Sequence, residues 1–147
     1  MLVQDIMTPA PAIAQLSTSI REVLQIMRDY EARHLPIVDS DEVVGIISDR
    51  DLAFLHASPE VFAALSPEDI EEVLERPISS VLKTRFLVDQ HVITIRADES
   101  VTVAIQLLID NRISCLPVLT AGTHHIVGII TPVDILDAAM PLFAAYG

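Results

Sequence analysis

The chain has no tryptophan, only four Phe and two Tyr, and a single cysteine in 147 residues. With so few rings, a core must be built from aliphatic side chains, and apolar residues at 51% are enough to build one. Ile, Val, Leu and Ala suit close-packed layers of helix on sheet, in one ordinary domain or two small ones. The lone Cys115 cannot form an internal disulfide, which points to a reducing, cytoplasmic compartment. Glycine occurs only at Gly45, Gly122, Gly128 and Gly147, so a phosphate-cradling loop or a dinucleotide fingerprint has no material. Positive charge is also scarce: nine Lys and Arg against 21 Asp and Glu give a net charge of −12. Nucleic acid and anionic membranes need a basic face that this composition does not supply. A small anion held by a few local cations is compatible with it. No uncharged apolar window of about 18 residues occurs, so no membrane span is expected. The opening MLVQDIMTPAPAIAQ carries Asp5 and no basic run, unlike a secretory signal. No Ser/His/Asp or Cys/His arrangement is recognisable by motif, and the chain reads as non-catalytic. His124 and His125 are adjacent, so on a strand they would point to opposite faces; no metal site is expected of them.

What the chain does have is an internal repeat. Ile20, Val23, Leu24 and Met27 stand at i, i+3, i+4 and i+7, and Val101, Ala104, Ile105 and Leu108 repeat that spacing. This is one helix face stated twice. Ser19 with Glu22 fits a capping box for the first helix, and Ser100 can cap the second. A proline-centred apolar run follows each helix: His34 to Asp39, and Cys115 to Thr120. Then come a polar turn and a run rich in β-branched residues, VVGII at 43–47 and IVGII at 126–130, of the kind found in buried strands. Each run ends in a hydroxyl residue with a carboxylate three positions later, GIISDRDL at 45–52 and GIITPVDI at 128–135. Thr131-Pro132 is a strong helix start, a cap residue followed by proline at the first helical position. Extended stretches at Ala10–Ala14 and His91–Arg96 precede the two first helices. Each copy therefore reads β-α-β-β-α. The offset is 81 at Pro36 and Pro117 but 83 at Gly45 and Gly128, so the second copy has two extra turn residues.

These features set expected boundaries of 1–57 for the first repeat, 58–76 for a connector and 77–147 for the second repeat with an apolar tail. The connector holds two further cap-plus-proline starts, Ser58-Pro59 and Ser66-Pro67. The second opens an acidic run, Glu68, Asp69, Glu71, Glu72 and Glu75, expected to be a solvated helix. The tail AAMPLFAAYG is broken by Pro141 and reads as a buried segment or a dimer contact.

The paired corners, each behind a proline-centred strand and an amphipathic helix, with Asp5-Ile-Met-Thr-Pro9 at the front, resemble a tandem pair of CBS domains, a Bateman module. The resemblance covers about Val3 to Leu136. It implies an α/β fold of two β-α-β-β-α repeats packed through their sheets about a pseudo-twofold axis, with two equivalent clefts. It also implies a regulatory ligand, an adenine nucleotide such as AMP, ADP or ATP, or S-adenosylmethionine, with no required cofactor. The corner hydroxyl and Asp would face the ribose: Ser48 and Asp51 in one copy, Thr131 and Asp134 in the other. Arg33 and His34 match positions that often carry phosphate-reaching basic residues, whereas the second copy has neutral Ser114 and Cys115 there. Lys83, Arg50, Arg96 and Arg112 are further candidate cations. Ile13 and Thr94 would line the slots for the base. Family members commonly form a disk of two modules. That implies a homodimer through the second helices, including Ile135, Leu136 and Ala139, and through the tail at Leu142 and Phe143. An effector protein on another chain is a further expected partner.

The corner has its own physical logic. A helix start exposes unpaired N–H groups and partial positive charge, which normally suits an anion. Here the third helical residue is already a carboxylate, which offsets that potential. An ionised carboxylate only accepts hydrogen bonds, and the vicinal diol of a ribose offers two donors. S-x-x-D and T-x-x-D are equally capping boxes, which need no ligand. On that second reading the chain is a protein-interaction or dimerisation module that binds no small molecule.

Overall fold

The structure, a computed structural model, describes residues 1–9, 12–56, 64–85 and 92–147. The β-α-β-β-α order is present in the second copy, and in the first with a 3-10 segment at the place of its second helix. A short helix α1 (Val3–Ile6) and strand β1 (Thr8–Pro9) lead the chain. The first copy follows as β2 (Ala14–Gln15), α2 (Ile20–Asp29), β3 (His34–Asp39), β4 (Glu42–Ser48) and a 3-10 segment, Asp49–His56. Two helices, α3 (Pro67–Glu75) and α4 (Ser79–Arg85), lie between the copies. The second copy is β5 (Ile95–Arg96), α5 (Val101–Asn111), β6 (Leu116–Leu119), β7 (Ile126–Ile130) and α6 (Pro132–Tyr146).

The local chemistry explains these boundaries. Ser19 Oγ accepts the Glu22 N–H at 3.1 Å and Ser100 Oγ accepts the Thr102 N–H at 3.1 Å, so both first helices begin at a side-chain cap. Ile20, Val23 and Met27 of α2 are buried, as are Ala104 and Leu108 of α5. β3 and β4 are joined by Ser40 and Asp41, both with left-handed φ (48° and 66°), as a tight two-residue hairpin turn requires. The second copy makes this connection with a longer turn, in which Gly122 takes φ 78°. The leading strands are shorter than the sequence suggests. Among the described residues, pairing occurs at Ala14↔Ile37 and Gln15↔Val38, and at Ile95↔Val118 and Arg96↔Leu119, while residues 12–13 and 92–94 ahead of them carry no strand. Ala10 and His91 lie outside the described residues.

The chain divides into two compact units, Met1–Pro11 with Ile93–Gly147, and Ala12–Val92. Each repeat thus carries the segment that leads into the other. In the first unit the Val3 N–H donates to Glu99 O, Gln4 N–H to Ala97 O, and Val101 N–H to Met1 O, at 2.9, 3.0 and 3.1 Å. The second unit repeats this set at equivalent positions: Ile78 N–H to Thr18 O, Ser79 N–H to Leu16 O and Ile20 N–H to Arg76 O, at 2.7, 3.2 and 2.9 Å. Val3 and Ile78 are both fully buried by these dockings. The same exchange crosses the glycine of each corner strand: Met7 and Thr8 pass over Gly128, and Leu82 lies over Gly45.

Each unit has its own aliphatic core. One gathers Ile20, Val23, Leu35, Ile37, Ile47, Leu52 and Ile78; the other gathers Val3, Ile95, Ala104, Leu108, Leu116, Val118 and Ile130. Of the two expected connector helices, Ser58-Pro59 falls outside the described residues. The other is α3, closed by reciprocal bonds between Ser66 and Asp69 at 3.1 and 3.3 Å. It is not simply solvated. Val73 and Leu74 pack on the first core, and Arg21 of α2 ion-pairs with Glu71 and Glu75. The tail also differs from expectation. α6 runs through Pro141 to Tyr146, because a single proline forfeits one intrahelical bond without ending the helix here. Nor is the tail buried: Phe143 is 71% and Tyr146 92% exposed.

Candidate functional site

The two corners are built alike and bonded differently. β4 ends at Ser48, and the 3-10 segment starts at once. Asp51 Oδ2 accepts the Ser48 N–H at 2.8 Å, and Ser48 Oγ accepts the Asp51 N–H at 3.3 Å. This is the reciprocal capping box anticipated as the ligand-free reading. At the second corner, Asp134 Oδ2 accepts the Thr131 N–H at 2.9 Å, but the Thr131 hydroxyl turns onto the same oxygen at 3.2 Å. The other oxygen, Oδ1, accepts the hydroxyl of Thr8 at 3.0 Å. All four corner side chains are half-buried.

Sequence-distant candidates are brought to the first corner. β3 and β4 pair antiparallel with His34 opposite Ser48, and the Asp49 N–H donates to Arg33 O at 2.9 Å. Arg33 and Arg50 are exposed. His34 is half-buried, and desolvation lowers its pKa; Asp49 and Asp51 oppose that shift, and Arg33 and Arg50 add to it. The imidazole is therefore neutral at pH 7, and the fixed positive charge at this corner belongs to Arg33 and Arg50. In the second copy the position of His34 is held by Cys115. Burial, then the charge of Asp134, pushes its thiol up to about 12, so it stays protonated and neutral.

The remaining candidates separate. Ile13 stands just ahead of β2 and is partly exposed, in the unit of the Ser48–Asp51 corner. Thr94 stands just ahead of β5, half-buried, in the unit of the Thr131–Asp134 corner. Arg96 is committed to Asp98 through two hydrogen bonds of 3.1 and 3.0 Å, and Arg112 caps the C-terminus of α5. The side chain of Lys83 lies outside the described residues. An apolar groove of about 440 Å³ between α2 and the 3-10 segment, lined by Leu24, Met27, Arg28, Asp49 and Ala53, includes neither Ser48 nor Asp51. Among the described residues, no group of three or more His, Cys, Asp or Glu is placed to hold a metal, and no helix is long and apolar enough to cross a membrane.

Thr8 is the residue that sequence reasoning missed. It lies in the Asp5-Ile-Met-Thr-Pro9 motif but 126 positions from its partner carboxylate. The signal that could have found it is the second leading segment: Pro77 to Arg85 docks like the first, at an offset of 75 rather than 81.

The family model for the CBS domain matches residues 3–58 and 70–141. A CBS domain-containing protein of Dictyostelium discoideum is 30% identical over 141 residues, covering 92% of this chain and 89% of that protein. A homoserine O-acetyltransferase of Methanocorpusculum labreanum is 30% identical over 132 residues, 89% of this chain; the match spans only 23% of that enzyme's length. Among solved structures, the CBS domain pair of protein MJ0100, in complex with 5′-methylthioadenosine and S-adenosyl-L-methionine, superposes with a TM-score of 0.69. It is 28% identical, over 100% of this chain and 98% of that one.

Proposed function

The chain belongs to the CBS-domain family, both of its copies being matched, and from that premise we propose that it is a non-catalytic regulatory module. It binds an adenosine-containing ligand at the Ser48–Asp51 and Thr131–Asp134 corners. The observation that carries this reading is the duplicated carboxylate. Asp51 and Asp134 each sit half-buried at a helix start, with a hydroxyl beside them. A capping box uses one carboxylate oxygen for the backbone. An ionised carboxylate has about four acceptor positions in all, so capping and a ribose diol are compatible at one residue. The ligands of the MJ0100 domain pair, 5′-methylthioadenosine and S-adenosyl-L-methionine, share that adenosine diol.

The surrounding charge divides the corners. Arg33 and Arg50 stand by the first, which favours a phosphorylated nucleoside such as AMP, ADP or ATP there. Ser114 and Cys115 flank the second, which favours an adenosyl group without phosphate. Occupancy stabilises the fold and shifts its conformational populations according to differential affinity. Thermal melting with AMP, ADP, ATP and S-adenosylmethionine is the test. A ligand present at about one hundred times its dissociation constant stabilises by about 2.7 kcal/mol. For a chain this size that raises the melting temperature by roughly 5–10 °C. No shift with any of the four at millimolar concentration removes the sensing function for these compounds.

The second helix of the second copy supports self-association. Val133, Leu136, Met140 and Phe143 recur at i, i+3, i+7 and i+10 on α6, and each is more than 60% exposed. Such a stripe is one helix face left exposed among the described residues. Ile135, by contrast, packs against the unit's core, and Ala139 is half-buried. A second copy offering the same stripe would make a self-complementary contact. Light scattering at micromolar concentration should give twice the chain mass, and Leu136→Glu should halve it. A wild-type monomer, or a dimer indifferent to Leu136→Glu, removes this contact; an effector protein is then the occupant to seek.

A further inference from the structure

The second corner holds an arrangement that neither capping nor strand pairing requires. Asp134 is met by two alcohols, one on each oxygen: Thr8 Oγ1 at 3.0 Å from Oδ1 and Thr131 Oγ1 at 3.2 Å from Oδ2. Two hydroxyl donors on the two oxygens of one carboxylate is the pattern a vicinal diol makes with the same group. With the Thr131 N–H also on Oδ2, three of the roughly four acceptor positions are already taken. A ribose cannot add two more bonds there without displacing a protein hydroxyl.

The two alcohols differ in how they are held. Thr131 is the residue on which α6 starts, and its amide stays on Asp134 whatever its hydroxyl does. Thr8 comes from β1, paired among the described residues at Thr8↔Ile129 and Pro9↔Gly128, and it is exposed. The weaker attachment yields first. We propose that Thr8 is an internal stand-in for one hydroxyl of the ligand's diol. Ligand entry at Asp134 then displaces Thr8 and loosens β1, so occupancy of the second corner is reported to the N-terminal segment. This rests on the diol reading of the corner given above. It gives that reading a moving part: β1 and α1 dock on the strand and turn of the other repeat, so their release alters a segment that leads into Ala12 and the first copy.

The sign of the effect separates this from a role for Thr8 in orienting Asp134. A stand-in competes with the ligand, so removing its hydroxyl tightens binding; a positioning residue helps the ligand, so removing it weakens binding. The probe is adenosine, which carries the diol and no phosphate, titrated calorimetrically into Asp51→Ala protein so that only the second corner contributes. Thr8→Val in that background is expected to bind adenosine three- to tenfold more tightly, and Thr8→Ser, which keeps the hydroxyl, to bind as its parent does. Hydrogen exchange on the wild-type chain needs no variant: adenosine should speed exchange in the peptide spanning residues 1–9. Thr8→Val binding equal to or weaker than the parent's, or a 1–9 segment that adenosine protects, overturns the stand-in while leaving the diol reading intact. No binding of adenosine by any of these proteins, wild type included, overturns both.

Discussion

Replacing Gly128 by alanine should destabilise the protein by about 2–3 kcal/mol, whereas the same change at Gly45, its counterpart, should cost less than about 1 kcal/mol. The two glycines occupy equivalent strand positions and are crossed by equivalent leading segments, so sequence alone would rank them equal. Their surroundings do not. A Cβ on Gly128 would lie 2.7 Å from the backbone oxygen of Thr8 and 2.7 Å from Met7 Sδ. The thioether can swing away, but the carbonyl is fixed by the pairing of β1 with β7. The strand must then move as a whole, losing its ladder contacts and the Thr8–Asp134 hydrogen bond, itself worth about 1 kcal/mol. The three heavy atoms nearest a Cβ on Gly45 all belong to the Leu82 side chain, with Cδ2 at 3.1 Å, and a rotamer change relieves that. Alanine also restricts the unfolded chain, a gain of about 0.4–1 kcal/mol that offsets much of the smaller clash. For a chain of this size the Gly128→Ala melting temperature should fall by roughly 5–10 °C. Equal shifts for the two variants would mean that β1 does not pass over Gly128 as described.

The contrast between these glycines also shows what was legible in the sequence and what was not. Periodicity placed both first helices, because Ile20, Val23 and Met27 must share a face to bury. The residue types at 43–47 and 126–130 placed both corner strands, and Ser66-Pro67 placed α3. Those are local signals. The exchange of leading segments is not local: Val3 bonds to Glu99 and Ile78 to Thr18, and nothing within Asp5-Ile-Met-Thr-Pro9 says which copy it will cover. The geometry of the candidate corners was legible to the same extent. Ser48, Asp51, Thr131 and Asp134 follow from the repeated corner, and His34 reaches it because strand register sets it opposite Ser48. Thr8 was invisible, since its partner is fixed by tertiary docking rather than by spacing. Pro141 misled for the converse reason. Proline is a strong local breaker, yet a helix already running from Pro132 tolerates the loss of one bond near its end.

Converting each corner carboxylate to an amide should have its main effect on ligand affinity and only a minor one on stability. Asp51→Asn keeps an oxygen able to accept the Ser48 N–H, now 2.8 Å from Oδ2, so the cap survives in part and the stability change stays under about 1 kcal/mol. Asparagine, however, has one acceptor oxygen and no charge, and its second terminal atom is a donor facing a donor. Hydrogen bonds to a charged group are worth about 1.5–3 kcal/mol, and a diol bound to a carboxylate makes two. Losing one outright and weakening the other should raise the dissociation constant at that corner roughly 30- to 300-fold, at about 1.4 kcal/mol per factor of ten. The Asp51→Asn/Asp134→Asn double variant should melt within a few degrees of wild type without ligand and show no ligand-induced shift. Charge makes the two single variants differ. AMP binding should depend more on Asp51, beside Arg33 and Arg50, and adenosine binding more on Asp134, beside Cys115. Calorimetric titration of both ligands into both single variants reads this directly. If both amide variants bind as tightly as wild type, the carboxylates are caps and nothing more, and the stripe on α6 becomes the functional surface to pursue.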